Sequence, residues 1–330
     1  MTTASEADAN ASRPLISIVL PAYNGATYLG QALQSCLDQS YPAWELIVVD
    51  DASTDATPAI IREFAMHDSR VRCIRHETNR RLPGALNTGF AAARGEFLTW
   101  TSDDNLYRVT ALETMAAVLT ERPDVDFVYA DFDVIDEAGQ FVQTNVAVPP
   151  IQLIQQYFGV PCFLYRRRVH EQLGAYAEDL FLAEDYDYWL RILLSGFGMH
   201  PLHQNLYQYR RHAASLTDIY RGRTFLAAEQ ALLRNLPRLT RTSRSIRGEA
   251  YLYLASLATW RGDFRAARRY TVQATRYAPA RVAAKVAAFA LKRTRPVRGG
   301  NRPSQADGVG RDDHTRRVNV RTKETRPPAQ

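Results

Sequence analysis

Residues 47–51 read Ile47-Val48-Val49-Asp50-Asp51, and residues 97–104 read Phe97-Leu98-Thr99-Trp100-Thr101-Ser102-Asp103-Asp104. Each is a short apolar run that ends in two carboxylates. Runs of this kind, bounded by turn residues, predict strands of a parallel sheet buried on both faces. Their carboxylates then lie along the carboxyl edge of the sheet, where open α/β folds take ligands. A third acidic cluster, Glu184-Asp185-Tyr186-Asp187, opens a predicted helix. One acidic pair suits a hard divalent ion that carries phosphates, and a separate acid is then free to act as a base. The combination points to chemistry on a metal-bound nucleotide.

The segments around these runs alternate strand and helix signals. Ile16 to Leu20 reads as a strand that breaks at Pro21 and Asn24-Gly25. Tyr28, Leu29, Leu33, Cys36 and Leu37 follow at helical spacing. Trp44 to Asp50 is the next strand, and Asp51 to Asp55 is a polar turn in which Asp55 caps the helix Thr57 to Met66. Strands at Val71–Arg75, Phe97–Thr101 and Val125–Asp131 are separated by helices at Gly84–Ala93 and Arg108–Thr120. This order implies right-handed crossovers and a largely parallel sheet. After Pro149-Pro150 the pattern is mixed, with an apolar stretch at Phe163-Leu164-Tyr165 and a helix from Asp185 to Ser195 that Gly196 stops.

From about Arg223 the chain reads as helical. Ala250–Trp260 and Arg265–Tyr277 flank Gly262-Asp263-Phe264 and predict one antiparallel hairpin of the tetratricopeptide type, without a repeat. The segment Arg281 to Arg293 is amphipathic and basic, and suits either an anionic membrane surface or the last helix of a bundle. The expected organisation is a disordered leader at 1–13, an α/β domain at 14–222, a basic helical region at 223–296 and a disordered basic tail at 297–330.

Composition narrows the classes. The chain has 330 residues, 46% of them hydrophobic, enough for one large domain and a smaller one. No apolar run approaches a transmembrane helix, and the first dozen residues lack a signal-peptide pattern. The three cysteines, Cys36, Cys73 and Cys162, form no CxxC; Cys36 and Cys73 read as buried thiols of a protein in a reducing cytosol. Residues 1–222 carry 17 basic and 28 acidic side chains, and residues 223–330 carry 24 and 7. The acidic part fits a metal-dependent site, and the basic part either an anionic partner or an arginine-rich bias. There is no GxxxxGK[ST] and no GxGxxG after the first strand, which disfavours P-loop phosphoryl transfer and dinucleotide-dependent dehydrogenation.

The runs Ile18 to Gly25 and Val48 to Asp55, with Leu86-Asn87-Thr88-Gly89 and Ala93 to Phe97, resemble family 2 glycosyltransferases in order and spacing over about residues 14–215. The resemblance implies a GT-A fold: an α/β architecture with a mixed, mostly parallel sheet flanked by helices, here followed by an all-α C-terminal appendage. It implies that Pro21, Tyr23 and Asp51 line a nucleotide pocket. The Ser102-Asp103-Asp104 run stands where the family has Asp-x-Asp. Asp104 takes the metal-binding position and Ser102 replaces a carboxylate, with Asp103 as its substitute. Asp185 takes the place of the general base. Tyr209-Arg210-Arg211-His212 and Ser215 resemble a closing element, in which His212 completes the metal or diphosphate site and Arg210 or Arg211 neutralises the leaving phosphates. Asn79, Arg80 and Arg81 are further diphosphate candidates. Arg191 reads as a structural ion-pair partner.

Two functions follow from these residues. The first is an inverting transfer from a nucleotide-diphospho sugar, most naturally UDP-linked, to a hydroxyl of a glycan or lipid-linked acceptor, with Mg²⁺ or Mn²⁺ as cofactor. Its expected place is the cytoplasm, with peripheral contact at the inner face of the plasma membrane through the basic C-terminal region. The second is a non-catalytic sugar-nucleotide or glycan binder or scaffold, motivated by Ser102 and the helical appendage. Nucleic-acid binding is disfavoured, because the basic region lacks interleaved aromatic residues.

Overall fold

The computed structural model describes residues 13–155, 160–240 and 242–285, within one compact unit. Strands β1 (Ile16–Ala22) and β2 (Trp44–Asp50) are buried along their whole length, in keeping with their mainly apolar character, with Ser17 and Glu45 hydrogen-bonded to each other at 2.6 Å. They pair in parallel with each other and with β3 (Val71–Arg75) and β4 (Phe97–Trp100). Helices α1 (Leu29–Leu37), α2 (Thr57–His67) and α3 (Arg81–Ala92) make the crossovers. The nine-stranded sheet runs β3-β2-β1-β4-β8-β6-β9-β5, with β7 added on β6. The remaining strands are β5 (Leu106–Tyr107), β6 (Phe127–Ile135), β7 (Phe141–Asn145), β8 (Phe163–Arg166) and β9 (Met199–Arg210). Beyond β4 the sheet is mixed: β6 and β9 are parallel, while β4–β8, β6–β8, β6–β7 and β5–β9 are antiparallel.

Alternation along the strands divides the core between two faces. Ile16, Ile18 and Leu20 face α1 and α4 (Ala111–Glu121), meeting Leu33, Cys36, Leu112 and Met115. Val19, Ile47 and Val49 face the other way, toward Leu86 and Phe90 of α3 and toward Phe163, Tyr165 and Trp189.

The appendage is built onto the second half of the sheet domain. After α5 (Arg167–Leu173) and α6 (Glu184–Leu194) come α7 (Leu216–Ile219), α8 (Arg221–Leu239), α9 (Arg244–Trp260) and α10 (Phe264–Tyr277). Tyr186, Leu190 and Leu194 of α6 share a core with Ala228, Ala231 and Leu232 of α8 and with Ala250 and Leu254 of α9. The expected boundary at 222/223 therefore falls inside α8, on a helix packed against α6. The α9–α10 hairpin turns at Gly262, whose φ of 80° favours glycine, and Asp263 caps α10 through the N–H of Ala266.

Some expectations are corrected. Cys73 is exposed, because β3 is the edge strand of the sheet and only its first residue, Val71, is buried. Strands β5, β7 and β9 and helix α5 are additions to the sequence reading. The expected leader, apart from Arg13, lies outside the described residues, as do the 297–330 tail and most of Arg281–Arg293. Within the described part of that last segment, Val282 packs with Leu252 and Ala274, and Arg281 pairs with Glu249 at 3.1 Å. Among the described residues, no helix is long and apolar enough to cross a membrane.

Candidate active site

A cleft of about 1750 Å³ opens along the carboxyl ends of β1, β2 and β4 and reaches α6 and α8. Its walls include Pro21, Tyr23, Asp51, Ser102, Asp103, Asp104, Asp185 and His212, so one cavity gathers residues from Pro21 to His212 of the sequence. Arg80 and Arg210 are not among its lining residues.

Asp51 follows β2 directly and is 3% exposed. Its Oδ1 accepts from the backbone N–H of Arg80 at 2.8 Å and lies 2.6 Å from Nδ1 of His76. The other imidazole nitrogen of His76 lies 2.9 Å from the Thr88 hydroxyl. Both contacts to Asp51 fall on one oxygen, which leaves Oδ2 for the cleft. Sequence reasoning passed over His76. The parallel register of the folded sheet pairs Asp50 with Arg75 and so puts residue 76 beside residue 51, a pairing that two separate apolar runs do not specify.

The β4 carboxylates divide their work. Asp103 Oδ2 accepts from the N–H of Tyr23 at 3.3 Å and sits where a side chain on Gly25 would be, 2.1 Å from a Cβ built there. Only glycine at 25 permits that approach. Burial, and Asp104 alongside, push the Asp103 carboxyl up to about 7. Asp104 Oδ2 lies 3.0 Å from Nε2 of His212, and its Oδ1 is buried with no hydrogen-bond partner. An orphaned carboxylate oxygen costs about 1–3 kcal/mol or more, and a cation would satisfy it. The hydrogen bond to Asp104 raises the His212 pKa, so a metal ion on Asp104 competes with that proton. Among the described residues no group of three or more His, Cys, Asp or Glu forms a metal cage. The donor set fits Mg²⁺ or Mn²⁺ completed by substrate oxygens rather than a closed protein site.

Asp185 sits in the first turn of α6 and accepts from the N–H of Tyr186 at 2.6 Å. Burial raises the carboxyls of both Asp185 and its neighbour Glu184. The helix beneath is pinned from two sides. Asp187 holds Arg191 at 2.9 Å, confirming Arg191 as structural, and accepts from Asn235 of α8 at 2.7 Å. Trp189, also lining the cleft, has a buried indole N–H with no protein partner.

Two arginines read as diphosphate ligands have other occupations. Arg210 is 3% exposed; its guanidinium donates to the carbonyls of Asp104, Asp136 and Glu137 and to Gln31, and lies over the Tyr28 ring. It braces the acidic loop from behind, with no donor directed at the cleft. Arg80 contributes its backbone N–H to Asp51, and its side chain bonds to Thr88 and Glu178. Arg211 pairs with Asp218 at 3.1 Å. Arg81 does line the cleft, at the start of α3.

The four non-glycine residues with positive φ among those described are Asn24, Ala52, Arg81 and Leu182. Each lies within three residues of a cleft-lining residue considered above. The left-handed region costs about 1–2 kcal/mol per residue for non-glycines, so local strain gathers at this edge of the molecule.

The family profile described as Glycosyl transferase family 2 matches residues 17–174. "Putative glycosyltransferase EpsE" of Bacillus subtilis is 31% identical over 220 residues, covering 65% of this chain and 78% of EpsE. Among solved structures, Staphylococcus aureus TarS 1–349 in complex with UDP aligns with a TM-score of 0.54 at 19% identity, over 79% of this chain and 90% of that one. The mannosyltransferase PcManGT from Pyrobaculum calidifontis, solved with GDP-Man and Mn²⁺, aligns with a TM-score of 0.58 at 22% identity, over 86% and 81% of the two chains.

Proposed function

The chain belongs to glycosyl transferase family 2, and from that premise we propose that it moves a sugar from a UDP-linked donor to a hydroxyl acceptor, with inversion. The observation that carries the reading is the pairing, across one cleft, of the unpartnered Asp104 oxygen with the raised carboxyl of Asp185. Asp51 Oδ2, with Pro21 and Tyr23 beside it, accepts the imide N–H of the base or the ribose hydroxyls. Asp104 and His212 would hold Mg²⁺ or Mn²⁺, which when bound supplies positive charge to the leaving diphosphate. Trp189 offers its N–H to a sugar hydroxyl.

Asp185 takes the acceptor proton as the hydroxyl oxygen attacks the anomeric carbon. Its raised pKa makes it a stronger base than an exposed aspartate, while it still ionises near neutral pH. A single displacement with one base inverts the anomeric centre; retention by the two-carboxylate route needs a second, nucleophilic acid. Glu184, the adjacent acid, has its Oε2 held by the N–H of Leu182 at 2.7 Å. The UDP and GDP-Man in the two solved neighbours support a nucleotide-sugar donor. A role in surface polysaccharide or glycolipid synthesis, at the cytoplasmic side of the membrane, completes the reading.

Calorimetric titration of UDP and GDP, with and without Mn²⁺, tests it. The expected result is metal-dependent UDP binding that Asp104→Ala abolishes. A preference for GDP would change the donor and keep the mechanism. Failure of the folded protein to bind either nucleotide would shift the weight to the non-catalytic reading that Ser102 motivates.

A further inference from the structure

One wall of the cleft is a ladder of four side chains. The Arg81 guanidinium lies 5.2 Å from the centroid of the Phe181 ring. Phe181 meets Tyr220 edge-on at 5.9 Å, and the Arg223 guanidinium lies 5.9 Å from the centroid of Tyr220. All four line the cleft. Neither arginine makes an ion pair with a carboxylate among the described residues, although the same cleft holds Asp103, Asp104, Glu184 and Asp185. A guanidinium stacked on a ring has one face covered and keeps its N–H donors in its own plane. Those donors suit an oxyanion, which they grip in pairs.

Three of the four residues stand beside α6, and Arg81 joins them from the start of α3, next to the Arg80 that holds Asp51. Phe181 precedes Asp185 by four residues, and Tyr220 and Arg223 come from the junction of α7 and α8, the helix that packs on α6. The donor's phosphates have their own partners at Asp104 and His212. We propose that Arg81, Phe181, Tyr220 and Arg223 form a subsite for an anionic acceptor, a glycan bearing a phosphate or carboxylate near the hydroxyl that Asp185 deprotonates. The rings face the sugar and the arginines its charge. This assignment rests on the transferase reading above.

The test uses the full chain saturated with UDP and Mn²⁺, and measures binding of glycerol 3-phosphate, methyl β-glucuronide and methyl β-glucoside by calorimetry or ligand-observed NMR. At least one of the two anions should bind about ten-fold or more tightly than the neutral glucoside, and which one does so separates a phosphate from a carboxylate acceptor. Arg223→Gln should remove about ten-fold of that affinity, Arg223→Lys should keep most of it, and UDP affinity should change less than about two-fold. Arg223 is exposed on its helix, so an unchanged Tm will show that the variants fold. Equal binding of charged and neutral ligands overturns the proposal, as does full anion affinity in Arg223→Gln. Loss of UDP affinity matching the loss of anion affinity also overturns it, since the ladder would then clamp the donor. If UDP itself does not bind, the transferase reading fails, while the anion preference measured without UDP still decides the chemistry of the wall.

Discussion

The two sides of the cleft are made differently. On the β1–β4 side, the acids follow a strand closely, and backbone groups help to hold two of them: Asp51 by the N–H of Arg80, Asp103 by the N–H of Tyr23, with His76 and His212 as side-chain partners of Asp51 and Asp104. On the α6 side, Asp185 rests on a helix fixed by side chains from far along the chain, among them Asn235 on Asp187. Sheet register sets the first side, and tertiary packing sets the second. Substitutions on the first side should therefore remove chemistry and spare the fold. On the second side, only Asp185 itself should behave that way, and the supports of its helix should cost stability.

The largest expected effect probes Asp185 in its proposed role. Asp185→Asn should lower transfer by about 10²–10⁴ while UDP affinity and Tm stay close to wild type. Full activity in this variant would remove Asp185 from the mechanism, and lost nucleotide binding would show that the two sides are not separable. Next come the supports. Arg210→Ala, the exception on the first side because its side chain braces the acidic loop from afar, leaves partly buried carbonyls of Asp104 and Asp136 without that donor and should cost about 1–3 kcal/mol in urea unfolding. Asn235→Ala should cost about 1–3 kcal/mol and lower turnover more than UDP affinity, because Asp187 loses a buried partner beneath the base. If Asn235→Ala left both stability and turnover untouched, packing from α8 would not position α6.

A smaller effect is set by pH. Burial raises the carboxyl of Asp185, so the folded protein holds that proton to higher pH than the unfolded chain does. Wild-type stability relative to Asp185→Asn should therefore fall as pH rises from the ordinary carboxylate range through the raised folded value. Transfer should climb over the same window as the base ionises. Parallel slopes in the two measurements would contradict the assignment. The smallest effect concerns strain. Ala52, next to Asp51, has a φ of 65°, and Ala52→Gly should raise stability by up to about 1 kcal/mol at unchanged UDP affinity.

The same contrast explains what could be read in advance. The apolar runs ending at Asp50-Asp51 and at Ser102-Asp103-Asp104 announced β2 and β4, because central parallel strands leave an unbroken apolar signature. The segment that becomes β9 carried none. It contains Pro201 and a run of polar residues, and it pairs with β6 through register shifts near Asp131. Its last residue, Arg210, looked like a phosphate ligand because a guanidinium beside an acidic loop suits that role. Whether it faces a ligand or the protein depends on Gln31 and Asp104, far away in sequence. Cys73 was misread for the opposite reason: a short apolar run does not say whether its strand lies at the centre or the edge. The ladder residues could not be grouped at all, because Arg81, Phe181 and Tyr220 meet only after α6 and α8 have packed.

Arg210 also sets an order in time. The loop holding Asp103 and Asp104 is made early in synthesis, yet the side chain bracing it arrives 106 residues later and bonds as well to Gln31, 179 residues upstream. Contacts of such span close late, since the entropy of closing a long loop must be met before any bond forms. A nascent chain that has just completed β4 thus carries the carboxyl edge of β1, β2 and β4 without the brace on its acidic loop. His212 and the helix that packs on α6 come later still, so the cleft is complete only after the α8 segment has been made.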